Sequence, residues 1–215
     1  MTSLMSVDLA RHYEDIFTTH VGNPDLNVVM IFAAEHLVYL VPLTLLYLWF
    51  ASEGSRTNFE FGMPLTLSRF TTEDGKMRSV FIFTTIVISV AISYAMGQLY
   101  SHPAPYMVGY DTLLTEAPEN SFPSQHTTVV FAFVWPLLYL QDRRRTGLVA
   151  LVLASLVGIS RVYVGVHYPI DIVGAIGASL FGFTLVYAAR GLVMEFAGLC
   201  IRIEDRFLRI VSQVL

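Results

Sequence analysis

Five long apolar stretches constrain this chain more than any other feature of its sequence. They run approximately over residues 27–50, 79–100, 127–140, 147–163 and 171–189. A membrane-spanning helix needs about 20 mainly apolar residues. Because a backbone in hydrocarbon must satisfy its own hydrogen bonds, and because these stretches lack the alternation of barrel strands, each is predicted to be a helix. The sequence therefore predicts an all-α integral membrane protein, a helical bundle of about five transmembrane spans.

The third stretch is shorter than the others, so its helix is expected to begin inside the preceding loop or to extend into Gln141. Residues 3–19 and 194–215 each place apolar side chains along one face, which predicts amphipathic N- and C-terminal helices lying at the membrane interface. Residues 52–78 are polar and are predicted to form a loop with a short surface helix. The length of 215 residues suggests one domain, spanning 1–215.

Composition excludes several classes of function. Hydrophobic residues make up 54% of the chain and charged residues only 14%, whereas an ordinary soluble domain carries about a quarter charged residues. The single cysteine, Cys200, cannot form an internal disulfide, and no Cys/His spacing predicts a metal site. No basic patch with interleaved aromatic residues is present, so nucleic acid is not an expected partner. The expected partners are membrane lipids.

The basic residues are distributed unevenly between the two sides of the predicted bundle. All of the 13 lysines and arginines except Arg11 and Arg161 fall on the side that holds the loops after spans one, three and five. Lysine and arginine favour short cytoplasmic loops. The N-terminus, the loop over residues 101–126 and the turn over residues 164–170 are therefore predicted to face outward.

Two outward segments hold most of the polar residues that a span does not need, residues 122–126 and 160–171. Arg161 offers a planar set of donors that matches phosphate oxygens. Ser124 and the first N–H groups of the third span can donate to the same oxygens. An arginine and two histidines at one membrane face indicate an anion site, most simply a phosphate site.

Spacing suggests a role for each histidine. His167 and Asp171 are four residues apart, so on one helical face the carboxylate can orient the imidazole as a nucleophile. His126, from the other segment, can give a proton to the leaving group. Two alternatives involve structure alone: Arg161 as an interfacial anchor and Ser124 as a helix cap.

Three further residues are candidates for a head-group pocket. Glu35 and His36 lie within the first span, where ionisable residues often have a function. Tyr106 lies in the outward loop. The alternative for Glu35 and His36 is hydrogen bonding to a neighbouring helix near the outer interface.

The two polar segments resemble signatures of the type 2 phosphatidic acid phosphatase superfamily. Ser160 and Arg161, followed after five residues by His167 and after three more by Asp171, match SRxxxxxHxxxD at every fixed position. The run from Pro123 to His126 resembles PSxH, with Gln125 where glycine or aspartate is usual. The first family signature, KxxxxxxRP, is not intact, because Gly97 and Ala104 stand where lysine and arginine are expected. His102 is the nearby candidate to replace the missing phosphate contact.

The resemblance implies hydrolysis of a phosphate ester or pyrophosphate without a metal or other cofactor, at a site formed within residues 96–171. In that family pattern His167 is the nucleophile, Asp171 its partner and His126 the acid. The residues around the phosphate would be Ser124, Gln125, Ser160, Arg161 and His102.

The run from Met96 to Tyr106 is similar to MGxLxxHDRPF of the bacitracin-resistance type undecaprenyl pyrophosphate phosphatases. This similarity implies a bacterial cytoplasmic membrane protein that hydrolyses undecaprenyl pyrophosphate at its outer face, with the polyprenyl tail remaining in lipid. Two alternatives stay open. One is a phosphatase or phosphotransferase for phosphatidylglycerol phosphate, phosphatidic acid or lipid A. The other is a protein that binds or moves a polyprenyl phosphate without cleaving it.

Overall fold

The computed structural model describes residues 23–50, 72–114, 119–140 and 144–214. These residues form helices and connecting loops, and their only β-type pairing is an isolated bridge between Pro103 and Asn120. The all-α prediction is confirmed for this part of the chain. The predicted N-terminal amphipathic helix over residues 3–19 lies outside the described residues. The helices are α1 (Pro24–His36), α2 (Leu40–Phe50), α3 (Thr72–Leu99), α4 (Gln125–Tyr139), α5 (Arg144–Tyr163), α6 (Pro169–Ala188) and α7 (Arg190–Val214).

Four helical segments of the described chain are long and apolar enough to cross a membrane: Pro24–Phe50, Gly75–Leu99, Arg144–Tyr163 and Pro169–Ala188. The remaining predicted span is α4, which has 15 residues. At 1.5 Å per residue it is about 22 Å long, shorter than the hydrocarbon core of about 30 Å. Of the two expectations for this span, the earlier start is confirmed, because α4 begins at Gln125. The extension into Gln141 is wrong, because α4 ends at Tyr139 and Leu140 is extended.

Two prolines account for irregularities in the helices. Pro42 has no N–H to donate to the carbonyl of Val38, and the short 3₁₀ segment Leu37–Tyr39 separates α1 from α2 just before it. Pro136 lies inside α4, which ends three residues later. The first predicted span is therefore two helices in series, and the third ends early.

α4 is the centre of the bundle and packs against α3, α5 and α6. Most of its side chains are buried, including Val130, Val134 and Leu137, which join the main apolar cluster with residues of α2, α3 and α5. Its first residues lie at the same end of the bundle as the turn between α5 and α6. We call this end, which holds the connecting residues 100–114, 119–124 and 164–168, the site end.

Small residues let α3 and α6 approach closely. The Ser89 hydroxyl of α3 donates to the carbonyl of Ser179 at 3.3 Å, and Trp135 of α4 donates to the Ser179 hydroxyl at 2.9 Å. Opposite Ser89, α6 has Gly182, where a side chain would collide with the serine. Close contact at small residues and hydrogen bonds between helices are characteristic of packing in membranes, where lipid is as apolar as the helix faces.

The end opposite the site is joined by a buried ion pair. Lys76 of α3, only 3% exposed, lies 2.8 Å from Glu204 of α7, and the Trp49 indole of α2 donates to the same carboxylate at 3.0 Å. The helix α3 thus begins at Thr72 rather than at the predicted 79, so the predicted loop over residues 52–78 is wrong for residues 72–78. The ion pair with Glu204 stabilises the buried charge of Lys76, so this turn of α3 can be helical.

The C-terminal amphipathic helix is confirmed as α7. It starts at Arg190, where α6 ends, and Glu204 still contacts the first turns of α3. Both contacts lie at the end opposite the site, so α7 runs along this end instead of returning across the bundle. Ala197 and Ile201 face the bundle, whereas the apolar side chains of the predicted face are exposed, namely Phe196, Leu199, Ile203, Phe207 and Ile210. Such an apolar face suits the membrane interface.

Replacing Gly182 with alanine tests the packing of α3 on α6. The new methyl carbon would lie 2.8 Å from the Ser89 Cα atom, so one helix must shift. We expect a loss of about 1 to 3 kcal/mol, the usual cost of overpacking, seen as a lower melting temperature in detergent.

The matched control is Gly177→Ala on the same helix, where no atom lies within 4 Å of the added carbon. This variant should melt at or slightly above the wild-type temperature. Equal melting temperatures for the two variants would contradict the close approach of α3 and α6.

Candidate functional site

The two polar segments meet through the first turns of α4 and α6. Ser124 caps α4, and its backbone N–H donates to the carbonyl of Asp171 at 3.3 Å. Asp171 lies in the first turn of α6, where its Oδ2 accepts the N–H of Tyr168 at 2.8 Å and so caps that helix. Two helix N-termini, which both favour negative charge, therefore lie side by side at the site end.

The turn between α5 and α6 is held by the preceding loop. Leu113 donates its N–H to the carbonyl of Val164 at 3.0 Å, and the Thr112 hydroxyl donates to the same carbonyl at 3.0 Å. Gly165 has φ of 81°, and the carbonyl of Asp111 occupies the space that a side chain would need. A small apolar cluster lies beneath the turn and joins it to α1; its buried members are Met30, Ala34, Leu114, Val164 and Val166.

Arg161 is buried in the last turn of α5, with only 5% of its surface exposed. Its Nη1 lies 3.5 Å from the carbonyl of Ala34, at the limit of a hydrogen bond. Its Nε has no hydrogen-bond partner among the described residues. A buried guanidinium with an unused donor is a strong binding group for a phosphate oxygen, because desolvation strengthens the ionic hydrogen bond.

Both histidines of the predicted site lie near this guanidinium. His126, in the first turn of α4, is close enough to Arg161 and His167 for their charges to act on its ring. His167, only 3% exposed, precedes α6 and lies within electrostatic range of Arg161 and Asp171. The structure thus brings together the arginine, the two histidines and the aspartate of the predicted site.

The carboxylate of Asp171 is fully buried between two imidazoles. Its Oδ2 lies 3.4 Å from Nδ1 of His167, and its Oδ1 lies 2.9 Å from Nε2 of His102. Both are ion-pair distances, although the two ring nitrogens and Oδ1 lack hydrogen-bond angles in this conformation. Burial lowers the pKa of His167 below its ordinary value. Burial also acts to lower the pKa of His102, but Asp171 outweighs this effect and the pKa of His102 is raised.

The side chains of two other predicted phosphate ligands, Ser160 and Gln125, form hydrogen bonds outside the cluster. The Ser160 hydroxyl donates to the carbonyl of Val157 at 2.7 Å, within its own helix. Gln125 donates through its amide to the Ser93 hydroxyl of α3 at 2.9 Å. Neither residue contributes its polar group to the cluster around Arg161 in this conformation, and their roles as phosphate ligands stay predictions.

The three candidates for a head-group pocket lie at the edge of the site. Glu35 is exposed on α1, yet its charge acts on Arg161. His36 is exposed and its ring stacks on Phe32 at 5.1 Å between centroids. Tyr106 is half-buried in the 3₁₀ segment Pro105–Val108. The charge of Glu35 thus reaches the cluster through Arg161.

The residues in place of the first family signature are packed into the protein. A side-chain carbon at Gly97 would lie 2.9 Å from the carbonyl of Phe122, and the Asn120 amide donates to the carbonyl of Gly97 at 3.0 Å. Ala104 is fully buried, and its N–H donates to the carbonyl of Glu119 at 3.2 Å. Tight contact between α3 and the loop thus occupies the space around position 97.

His102 is placed against Asp171 rather than beside Arg161. Sequence reasoning had singled it out as a phosphate ligand, and that role stays a prediction. Its contact with the carboxylate could not be predicted, because the pairing of Pro103 with Asn120 has no local signal in the sequence. Among the described residues, no group of three or more histidine, cysteine, aspartate or glutamate side chains is arranged to hold a metal ion.

Comparison with known proteins finds a family model and several relatives that match this chain. The model of the family described as PAP2 superfamily matches residues 77–194. A Bacillus licheniformis protein, bacitracin transport permease protein BcrC, is 31% identical over 180 residues, which are 83% of this chain and 76% of that protein. A Bacillus subtilis (strain 168) protein, undecaprenyl-diphosphatase BcrC, is 26% identical over 185 residues, 85% of this chain and 84% of that protein.

The fold also resembles a solved structure. The crystal structure of Aquifex aeolicus LpxE matches with a TM-score of 0.60 at 18% identity, over 85% of this chain and 94% of that chain. At this identity the likeness is one of fold. It covers most of the chain and not the site segments alone.

Replacing Gly165 with alanine tests the turn that carries His167. Alanine at φ of 81° costs about 1 to 2 kcal/mol, and here the added carbon would also meet the carbonyl of Asp111. We expect a clearly lower melting temperature in detergent and a displaced His167.

Gly109 is the matched control, because its φ is 97° but no atom lies within 4 Å of an added side-chain carbon. Gly109→Ala should lose only the backbone part of the stability. If Gly165→Ala were no less stable than Gly109→Ala, the contact between this turn and the loop at Asp111 would be refuted.

Proposed function

Because the chain belongs to the PAP2 superfamily, we propose that it is a multi-pass membrane phosphatase that converts undecaprenyl pyrophosphate to undecaprenyl phosphate. The observation that carries this proposal is the cluster of Arg161, His126, His167 and Asp171 at one end of the bundle. A cationic site at the end of membrane-spanning helices suits a phosphorylated head group whose hydrocarbon tail remains in the bilayer.

Binding is assigned to Arg161 and to the N-terminus of α4. The Nε of Arg161 can donate to a phosphate oxygen, since it has no partner among the described residues. The first N–H groups of α4 and the Ser124 hydroxyl can donate to other oxygens of the same phosphate. Burial of these groups strengthens their interaction with the dianionic head group.

The first chemical step is nucleophilic attack by His167. With Asp171 beside Nδ1, the other ring nitrogen, Nε2, carries the lone pair that forms a bond to the terminal phosphorus. The bond between that phosphorus and the bridging oxygen breaks, and undecaprenyl phosphate leaves. His126 gives a proton to the departing oxygen. The low pKa of His167 keeps its ring neutral, and therefore nucleophilic, at neutral pH.

The second step releases phosphate and restores the enzyme. His126, now deprotonated, takes a proton from water, whose oxygen attacks the phosphorus of the phosphohistidine. The bond from phosphorus to His167 breaks and inorganic phosphate is freed. Arg161 stabilises the charge of the phosphoryl group in both steps, and the oxidation state of phosphorus does not change.

The choice of substrate is supported by the relatives. One of the similar Bacillus proteins bears the name undecaprenyl-diphosphatase and aligns over most of both chains. The other is named as a bacitracin transport permease. A transport role without hydrolysis is disfavoured by the pairing of His167 with Asp171, because binding alone requires no oriented nucleophile.

We further propose that the site faces the outside of a bacterial cytoplasmic membrane. The basic residues at the end opposite the site support this orientation, including Arg78, Arg144 and Arg145 at helix ends and Arg190, Arg202, Arg206 and Arg209 in α7. An outward site would act on carrier lipid at the external leaflet.

Phosphate release from separate lipid phosphates tests the function. Purified protein in detergent, with chelator present, is offered undecaprenyl pyrophosphate, phosphatidylglycerol phosphate, phosphatidic acid and lipid A. We expect the highest kcat/KM for undecaprenyl pyrophosphate, by about 10-fold or more, which corresponds to about 1.4 kcal/mol in transition-state binding.

His167→Ala is the negative control in the same assay. Its kcat should be lower than that of the wild type by at least about 1000-fold, as for other catalytic nucleophiles. Gly177→Ala, on an open face of α6, should keep wild-type turnover. Equal turnover of phosphatidic acid would overturn the substrate assignment, and near-wild-type activity of His167→Ala would overturn the mechanism.

A further inference from the structure

The carboxylate of Asp171 has a second imidazole partner that the mechanism above does not use. Asp171 is fully buried, and a buried carboxylate needs partners for both oxygens. Oδ2 faces His167 and accepts the Tyr168 N–H. Oδ1 faces Nε2 of His102 at 2.9 Å, which is shorter than the 3.4 Å contact with His167.

The ring of His102 is itself held by several neighbouring groups. Its Nδ1 lies 3.1 Å from the Ser121 hydroxyl and 3.3 Å from the Pro103 carbonyl. Three aromatic rings surround it, with centroid distances of 5.5 Å to Tyr100, 5.3 Å to Tyr168 and 6.2 Å to Phe122. Both ring nitrogens thus face protein groups, and neither is directed to the guanidinium of Arg161.

We propose that His102 is a positioning residue, and that Ser121, His102, Asp171 and His167 form one chain of contacts that orients the nucleophile. This inference rests on the proposed function and deepens it. His102 binds no phosphate in this arrangement. Its role is to hold Oδ1, so that the carboxylate plane keeps Oδ2 against Nδ1 of His167.

The physical reason is the flexibility of a carboxylate with one firm partner. An aspartate whose contacts all lie on one oxygen, as those with His167 and the Tyr168 N–H do, can rotate about its last bond, which would let the His167 ring turn away from the phosphorus. A second contact on the other oxygen fixes that rotation. Outer partners of this kind commonly orient a reactive histidine, and their loss reduces activity without removing the reactive group.

Charge is consistent with this role. The groups that face His102 and can titrate are Asp171, Tyr100 and Tyr168, and the charge that acts on its ring is that of Asp171. Because its pKa is raised, the His102 ring is positively charged at a higher pH than a free histidine. The ring of His167 faces Asp171, Arg161 and His126, and burial keeps it neutral. The pKa values of the two imidazoles that share Asp171 therefore shift in opposite directions, upward for His102 and downward for His167.

Steady-state kinetics separates positioning from phosphate binding. We compare His102→Gln, His102→Ala and Ser121→Ala with wild type, using the lipid phosphate that wild type hydrolyses fastest. Positioning predicts that kcat falls by about 10- to 100-fold in His102→Ala, with KM within about twofold of wild type. Glutamine keeps an N–H donor for Oδ1, so His102→Gln should recover part of the lost kcat. Ser121→Ala should show a smaller fall in kcat.

A rise in KM with unchanged kcat would overturn the proposal, because it is the signature of a lost ground-state phosphate contact. Full activity of His102→Ala would overturn it as well. Gly177→Ala serves as the control for expression and detergent handling, since its helix carries Asp171 but its added methyl meets no atom within 4 Å.

A second measurement does not depend on turnover. The pKa of His167 is followed by NMR in histidine-labelled protein, in wild type and in His102→Gln. His102→Gln removes the second imidazole that shares the carboxylate, so Asp171 acts on His167 alone and the pKa of His167 should rise. An unchanged pKa would refute the shared carboxylate. If wild type cleaved no lipid phosphate, the proposed function would fall, whereas this titration would still decide whether the contact chain exists.

Discussion

The buried carboxylate of Asp171 is the constraint on which the site depends. It begins α6 by accepting the N–H of Tyr168, and its backbone carbonyl accepts the N–H of Ser124 at the start of α4. One residue therefore ties together the N-termini of α4, which carries His126, and α6, which His167 precedes. A buried charge of this kind is stable only with several partners, and here two imidazoles and a helix terminus provide them.

The altered first signature has a structural counterpart. The family pattern expects a lysine at position 97, and the glycine there lets the backbone at Phe122 lie directly on α3. The pattern expects an arginine at position 104, and the alanine there is fully buried. The loop in turn places His102 beside Asp171. Arg161 is thus the one guanidinium at the cluster among the described residues, and its burial between α1 and α5 makes its single charge more effective.

Much of the fold was predictable, because runs of apolar residues in a membrane protein permit few structures other than helices. The start of α3 could not be predicted because a lysine such as Lys76 is typical of a loop, whereas the structure buries it against Glu204, far away in the sequence. The meeting of His126, Arg161 and His167 was anticipated from sidedness and spacing. The place of His102 was not, because it depends on how the loop at 103 pairs with residue 120, a long-range contact with no local signal.

The most direct test of the central claim is capture of the covalent intermediate. Protein is mixed with radiolabelled undecaprenyl pyrophosphate, quenched in alkali, in which phosphohistidine survives, and digested for mass spectrometry. The account predicts a phosphoryl group on His167 of the wild type and none on the protein when His167 is replaced by alanine. Turnover with no label on the protein, or label on another residue, would contradict the account.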